Sequence, residues 1–260
     1  MGTVTTRAFD FSGVRQLIID NYGGGSILVQ PSSDPDRVEG WLDADDERFL
    51  GEVTIRQERD YVRISLPQTL WRTANAHLRL AVPPGLRFVI KTGSADISIN
   101  ADIDRSKIVT GSGDISVGRA IDLDATTGSG SLSVAELAGQ GARLGTGSGD
   151  VAIDTVSCPL AVKSGSGDIV LKSLVRSELR ASSGSGDVSV AAASGSVELR
   201  SASGSISVGV ADNLVSWLDL NSVSGTVRIG LDATSQPPPG EPWISVRART
   251  ASGNISVHRA

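Results

Sequence analysis

The residues most able to do chemistry in this sequence are aspartates that return at nearly regular steps: Asp96, Asp114, Asp150, Asp168 and Asp187. Each one directly precedes an apolar residue that opens an alternating stretch, as in the run Asp-Ile-Ser-Val that begins at Asp114. If each step is one turn of a coiled chain, the carboxylates form a column with about 4.8 Å between neighbouring strands. Like charges at that spacing repel unless backbone amides or cations offset them. The column is therefore a candidate calcium site.

Hydrogen bonding to the backbone is the competing interpretation of these aspartates. Asp and Ser side chains in turns accept hydrogen bonds from nearby amides, here in their own or the adjoining coil. The segment Gly-Ser-Gly-Asp-Ile is similar to the nonapeptide of calcium-binding β-rolls, but the residue nine positions after Asp114 is Leu123. Ser131 and Ser205 also interrupt the column. We therefore expect a structural role, without a bound metal or other cofactor, and calcium binding is a minor alternative.

Small polar residues form a second candidate surface, two positions after the aspartate marks. They are Ser98, Ser116, Ser133, Ser189 and Ser207. Because alternate residues of a strand share a face, these serines are predicted to form an outward ladder beside the carboxylates. Such a flat face could bind a partner protein, a glycan or ice, and a solvated sheet surface is the alternative.

The sequence contains few residues and no motif suited to catalysis. The two histidines, His77 and His258, are far apart in the sequence, so neither a two-histidine metal site nor a Ser-His-Asp arrangement is favoured. No Gly-x-Ser-x-Gly, Gly-x-Gly-x-x-Gly or phosphate-loop motif occurs in the sequence. The net charge of −5 and the pI near 5.1 give no basic footprint for nucleic acid. We predict a protein that is not an enzyme and has no nucleic-acid partner.

A repeated unit must position these side chains. The motif is clearest at 110–117, and its copies place the residue before the first apolar position at 96, 114, 131, 150, 168, 187, 205, 226 and 254. Several copies are followed by a second short alternating piece, such as Leu160–Lys163, and none shows a sustained helical period. Repeats too small to bury their own apolar face must stack on one another. The sequence predicts an all-β parallel β-solenoid, a right-handed single-stranded β-helix with coils of about 18 residues.

Apolar columns are predicted to form the core of this stack. Two aliphatic residues alternate with the outward residues in each marked strand, and these pairs run from Ile97 and Ile99 through Val227 and Ile229 to Ile255 and Val257. Stacking places like on like, and each buried Ile or Val contributes roughly 1.5–3 kcal/mol. The turn that joins the two strands of a coil contains the Gly-Ser-Gly segment of the motif. Glycine is expected there because the turn needs positive φ or close backbone approach.

The organisation changes along the chain. Residues 1–90 are predicted to form less regular, β-rich coils that cap one end, and residues 91–260 to form the regular repeats. A proline-rich stretch at 231–242 is predicted to leave the stack as a loop. The chain ends almost on a strand, which predicts an open C-terminal end able to pair with another strand. The tryptophans are expected to pack at an end or under a loop, and they are Trp41, Trp71, Trp217 and Trp243.

Targeting features are not evident in the sequence. The single Cys158 allows no internal disulfide. The N-terminus lacks the basic and apolar regions of a secretory signal, and no apolar run is long enough to cross a bilayer. The expectation is a soluble cytoplasmic protein without direct membrane insertion.

The serial copies of (Ser/Thr)-Gly-Ser-Gly-Asp-(Ile/Val)-Ser-Val, preceded by Pro83-Pro84-Gly85, resemble the bacterial DUF4097 family of adhesin-like β-strand-repeat proteins. The resemblance covers most of the chain and implies a β-solenoid related to the toastrack domains of envelope-stress membrane proteins. The expected function is a structural scaffold or protein-interaction module that binds itself or another protein through a side face or the C-terminal end. One alternative is an accessory component of an envelope or membrane stress system that a partner recruits. A calcium-dependent adhesin is a minor alternative.

Overall fold

The structure is a computed structural model that describes residues 5–45, 47–67, 75–212, 214–231 and 243–260. Most of this chain is extended, because Val, Ile and Thr alternate with small polar residues between glycine-rich turns. The chain divides into two compact units, Met1–Gly130 and Ser131–Ala260. Within each unit the strands form two sheets, and the chain passes from one sheet to the other as it coils.

The N-terminal unit combines one short helix with many strands. The helix α1 is Glu47–Glu52, and it buries Phe49 and Leu50. The strands are β1 (Thr5–Ser12), β2 (Gln16–Tyr22), β3 (Gly24–Pro31), β4 (Arg37–Ala44), β5 (Thr54–Glu58), β6 (Tyr61–Ser65), β7 (Asn75–Val82), β8 (Arg87–Thr92), β9 (Asp96–Ile103), β10 (Ser106–Thr110), β11 (Ile115–Ile121) and β12 (Leu123–Thr127).

The two sheets of this unit place antiparallel strands at one margin and parallel coils beside them. Sheet N1 has the strand order β1-β4-β7-β3-β9-β11, and sheet N2 has the order β5-β6-β2-β8-β10-β12. The pairs β1/β4, β4/β7 and β5/β6 are antiparallel, and the other pairs are parallel. Ser26 to Val29 of β3 lie in register with Asp96 to Ile99 of β9. β3 therefore occupies the place of a repeat strand although its sequence departs from the motif.

Tyr22 at the end of β2 ties the first coil to its neighbour. Its side chain is fully buried, and its hydroxyl donates a hydrogen bond to the carbonyl oxygen of Ala76 at 2.5 Å. Burial raises the pKa of the Tyr22 phenol above its ordinary value. The phenol therefore stays protonated at neutral pH and keeps this hydrogen bond.

In the C-terminal unit, all of the described secondary structure elements are strands, joined by turns. They are β13 (Leu132–Ala138), β14 (Ala142–Thr146), β15 (Val151–Val156), β16 (Leu160–Ser164), β17 (Ile169–Leu174), β18 (Glu178–Ser183), β19 (Val188–Ala193), β20 (Ser196–Ser201), β21 (Ile206–Val210), β22 (Val215–Ser222), β23 (Val227–Gly230), β24 (Trp243–Thr250) and β25 (Ile255–Arg259). Sheet C1 has the order β13-β15-β17-β19-β21-β25-β23, and sheet C2 has the order β14-β16-β18-β20-β24-β22. All of these strand pairs are parallel.

The register of these pairs follows the repeat of the sequence. Ile169 of β17 pairs with Val151 on one side and Val188 on the other, and all three side chains are buried. In the N-terminal unit, Ile97 and Ile115 pair in the same way. Like therefore stacks on like in an apolar core. The predicted parallel β-solenoid is confirmed, and the N-terminal unit adds one short helix and antiparallel strands at its margin.

The last two coils are not stacked in sequence order. β24 pairs with β20 and β25 pairs with β21, so the final coil lies next to the coil of β20 and β21. The preceding coil, formed by β22 and β23, pairs with this inserted coil. The expectation that the last strand of the chain forms the open end is therefore wrong, because β22 and β23 form it.

The prediction that Val227 and Ile229 belong to the core is also wrong. Their exposed fractions are 39% and 52%, whereas Ile255 and Val257 of the inserted strand are fully buried. Among the described strands, β23 is the last of sheet C1 and has a neighbour, β25, on one side only. The same alternation that fills the core elsewhere therefore leaves aliphatic side chains open to solvent here.

Two sequence predictions fall on residues that the structure does not describe. The proline-rich loop predicted at 231–242 lies outside the described residues except for Leu231, and so does Trp71. Among the residues that are described, no helix has the length and apolar character that crossing a membrane requires.

Candidate interaction surfaces

A corner joins the two strands of each regular coil, and a hydroxyl organises it. The corner reads Gly-Ser-Gly in most coils and x-Ser-Gly after Ser201, Ser222 and Thr250. The Ser or Thr that ends the preceding strand accepts a hydrogen bond from the backbone N–H three residues later, as Ser201 does from Gly204 at 2.8 Å. The same bond occurs at Thr110, Thr127, Thr146, Ser183, Ser222 and Thr250. The Ser201 hydroxyl also donates to the carbonyl oxygen of Gly186 in the neighbouring coil, at 3.1 Å. One hydroxyl thus fixes its own turn and joins two coils.

The predicted aspartate column is present, and its carboxylates bond to the backbone of the adjoining coil. In the C-terminal unit Oδ1 of Asp150 accepts from the N–H of Asp168, and Oδ1 of Asp168 accepts from the N–H of Asp187, at 2.9 and 2.8 Å. Asp187 accepts from the N–H of Ser205 at 2.7 Å. In the N-terminal unit, Asp96 accepts from the N–H of Asp114 at 3.0 Å. Backbone dipoles therefore offset the charge of the carboxylates along the stack.

This ladder of carboxylate and amide groups follows the spatial order of the coils rather than the order of the chain. After Ser205 it continues to Asn254, whose N–H donates to the Ser205 hydroxyl at 3.3 Å. Oδ1 of Asn254 then accepts from the N–H of Thr226 at 2.9 Å. The hydrogen bonds at the corners thus place the last coil between the same two neighbours as the strand pairing does. Within the described chain, no group of three or more His, Cys, Asp or Glu side chains is placed to hold a metal ion.

The corner glycines are required by close approach. A Cβ built on Gly186 would overlap the carbonyl group of Gly167 in the neighbouring coil, and one on Gly204 would overlap that of Gly186. Neither glycine has a positive φ; in the described chain positive φ glycines are Gly13, Gly25, Gly85 and Gly139. Of the two reasons that the sequence allowed for these glycines, close packing of successive coils is therefore the one that applies in the regular copies.

The predicted serine ladder lies on the outer faces of sheets N1 and C1. Ser98 and Ser116 are register partners in sheet N1, and Ser189 pairs with Ser207 in sheet C1. Ser133 lies in the same outward column, which continues through Ala152 and Val170. These side chains are exposed or half-buried. The structure thus places the serines together within each unit, and their role in binding stays a prediction.

An edge that the sequence analysis missed lies at the end of the C-terminal unit. We call β22 and β23 the open edge, since each is the last described strand of its sheet. Val223, in the turn between them, is 81% exposed, and Val227 and Ile229 follow on β23. The repeat pattern alone could not locate this edge, because it gives the same alternation to buried strands and to end strands.

The margins of the N-terminal unit are built differently. Helix α1 packs near β1 and β4, and the Arg7 guanidinium donates to the carbonyl oxygens of Leu50 and Val53 at 3.1 and 2.7 Å. The edge strand β5 carries charged and polar side chains, with Arg56, Gln57 and Glu58 exposed. Helix cover and charged edge residues both disfavour pairing with another strand. Among its described residues, the open edge of the C-terminal unit has no helix cover, and β23 carries one charged residue, Arg228, between the exposed Val227 and Ile229.

Comparison with solved structures identifies similar folds. A crystal structure named "putative adhesin" from Bacteroides fragilis is 15% identical, with a TM-score of 0.55, and the match covers 99% of this chain and 98% of that one. A second, named "Putative lipid binding protein" from Parabacteroides distasonis, is 15% identical with a TM-score of 0.51, covering 98% and 97%. At these identities the likeness concerns the fold alone.

Comparison with families gives a more specific result. No curated protein matches the chain. The family model described as Toastrack DUF4097 matches residues 42–258, which include nearly all of the repeated corners. The resemblance inferred from the Gly-Ser-Gly-Asp motif is thus confirmed, and the chain belongs to the toastrack family DUF4097.

Proposed function

We propose that this protein is a non-enzymatic, adhesin-like interaction module that associates with a second copy of itself through the open edge. The observation that carries the proposal is the exposure of Val227 and Ile229 on an end strand. An edge strand presents backbone N–H and C=O groups that can pair with another strand. Aliphatic side chains beside those groups add apolar burial to such pairing. The adhesin-like fold and the family are consistent with this role.

A second copy is the simplest occupant because it supplies the same strand. Two copies of β23 can pair edge to edge about a two-fold axis, which makes the same patch self-complementary. Pairing would cover Val227 and Ile229 with their counterparts. The protein would then act by linking chains end to end in pairs, as a scaffold rather than as a catalyst.

Light scattering across a dilution series tests this proposal. We expect the weight-average mass of the wild-type protein to rise above the 26.9 kDa of one chain as concentration increases. Ile229→Lys should keep the protein monomeric, because a lysine on an edge strand opposes strand pairing. Val170→Lys is the matched control, since Val170 is 42% exposed on the outer face of β17, away from the open edge.

Two results would contradict the proposal. The first is a wild-type protein that remains a monomer at the highest concentration. The second is equal association of the wild type and Ile229→Lys. If Val170→Lys also abolishes association, the outer face of sheet C1 rather than the open edge is the contact surface.

A further inference from the structure

Positive charge is concentrated on the outer face of sheet C2, although the whole chain has a net charge of −5. Charged residues from six strands project outward there. The cations are Arg143, Lys163, Arg180, Arg200, Arg247 and Arg249, and the carboxylates are Glu178, Glu198 and Asp219. Cations therefore outnumber carboxylates on this face, in contrast to the acidic balance of the whole chain.

The strand register brings the arginines together from distant parts of the sequence. Arg200 of β20 is the register partner of Arg249 of β24, and Arg247 lies two positions earlier on β24. Arg247 and Arg249 come from the inserted final coil. Without that insertion, β20 would pair with β22. Asp219 and Asn221 would then take the register positions that Arg247 and Arg249 now occupy beside β20. The inserted coil therefore creates the arginine cluster.

Arg200, Arg247 and Arg249 line a shallow depression together with Glu198 and Leu199. Arg200 contacts Oε1 of Glu198 at 2.6 Å, and Arg249 contacts Oδ2 of Asp219 at 3.2 Å. These ion pairs hold two guanidinium groups beside the depression, and their side chains remain about 60% exposed. A guanidinium has five N–H donors, so one carboxylate leaves donors for a ligand.

A tryptophan lies against Arg247, one of the residues that line this depression. The guanidinium carbon of Arg247 lies 5.3 Å from the centre of the Trp217 ring, a cation–π contact that leaves the guanidinium N–H groups at its edge. Trp243, on the same outer face, is 46% exposed. Trp217 and Trp243 lie on the last two described strands of sheet C2, which is the end position expected for them, and the Trp243 ring is open to solvent.

We propose that this face is a binding site for an anionic saccharide, a sugar chain that carries sulfate, phosphate or carboxylate groups. The arginines match oxyanions through paired N–H donors. The tryptophan rings offer flat apolar surfaces to the C–H faces of sugar rings. The cations extend across successive strands about 4.8 Å apart, so a linear polyanion laid across the strands meets them in turn. A flat sheet surface suits such a chain better than a folded ligand. The proposal does not depend on self-association at the open edge.

Fluorescence anisotropy with a labelled heparin fragment tests this site directly. The double variant Arg200→Gln with Arg249→Gln should weaken binding by about tenfold or more, because each lost charged hydrogen bond is large on this scale. Asp219→Asn should strengthen binding, since it removes a carboxylate that competes for Arg249. Lys172→Gln is the control for loss of positive charge away from this face, because it removes one exposed cation from β17 in sheet C1, whereas the double variant removes two from sheet C2. Thermal unfolding of each variant establishes that it is folded.

The choice of competitors identifies the ligand class. A polygalacturonate fragment should displace the labelled heparin, whereas neutral dextran and equimolar inorganic phosphate should not. The proposal is overturned if Lys172→Gln weakens binding as much as the double variant, or if Asp219→Asn leaves it unchanged. It is also overturned if phosphate alone displaces heparin, or if vesicles of anionic lipid bind the protein more tightly than the saccharides do.

Discussion

Replacing Gly186 with alanine is expected to lower the free energy of unfolding by at least about 3 kcal/mol, because the new methyl group has no room. It would overlap the carbonyl group of Gly167 in the neighbouring coil. That carbonyl belongs to the backbone, so it cannot move aside as a flexible side chain can. The two coils would have to separate at the corner, which also lengthens the hydrogen bond from the Ser183 hydroxyl to the carbonyl oxygen of Gly167. Denaturant unfolding of the purified variant measures the effect.

Gly141→Ala is the matched control in the same unit. A Cβ on Gly141 would lie 3.6 Å from the carbonyl oxygen of Pro159, which is ordinary contact. Its substitution should therefore change the free energy of unfolding by no more than about 1 kcal/mol. Equal effects at the two positions would mean that successive coils do not approach each other at the Gly-Ser-Gly corner as closely as described.

Replacing Ser201 with alanine should cost about 2–3 kcal/mol of stability, since it leaves two buried backbone groups without a partner. The Gly204 N–H loses its acceptor, and the Gly186 carbonyl oxygen loses a donor from the neighbouring coil. Ser164 occupies the corresponding position two coils away, but its buried hydroxyl has no hydrogen-bond partner among the described residues. Ser164→Ala should therefore be neutral or stabilise the protein by up to about 1 kcal/mol.

The two serine variants form a sensitive pair because they make the same chemical change at equivalent corners. Chemical denaturation of both, with the wild type, measures the difference in their free energies of unfolding. If Ser164→Ala destabilises the protein as much as Ser201→Ala, the corner hydroxyls contribute through packing rather than through hydrogen bonds.

The repeat made most of this fold predictable. A step of about 18 residues translates directly into strand register, as the pairing of Ile97 with Ile115 demonstrates. Except on β23, the alternation of the copies predicted which side chains are buried, because a strand in a stack has one apolar face. The aspartates could be assigned to a column for the same reason. Their hydrogen bonds to the next coil were one of two interpretations that the sequence allowed.

The order of the final coils could not be predicted from the repeat. Every coil presents nearly the same apolar columns, so the pattern does not distinguish one neighbour from another. The sequence around Val227 is therefore compatible with both a buried strand and an end strand. In the structure, β24 and β25 lie between two coils that are consecutive in sequence, the coil of β20 and β21 and the coil of β22 and β23.

The outer face of sheet C2 with its cluster of arginines, which we call the arginine face, could not be predicted from the sequence for a related reason. Its cations are spread between residues 143 and 249, and a net charge gives no information about their arrangement. Only the register of sheet C2 places Arg200 beside Arg249. The open edge and the arginine face therefore both follow from the position of the final coil.

Disulfide trapping tests that position most directly. Ser207 and Ser256 are register partners on β21 and β25, and Ser256 is also the partner of Arg228 on β23. Neighbouring strands lie about 4.8 Å apart, within disulfide range, whereas positions two strands apart are about 9.6 Å apart and exceed the limit of about 7 Å. In dilute protein under mild oxidation, Ser207→Cys with Ser256→Cys should form an intramolecular disulfide. Ser207→Cys with Arg228→Cys should not, and a disulfide in this second pair but not in the first would contradict the account.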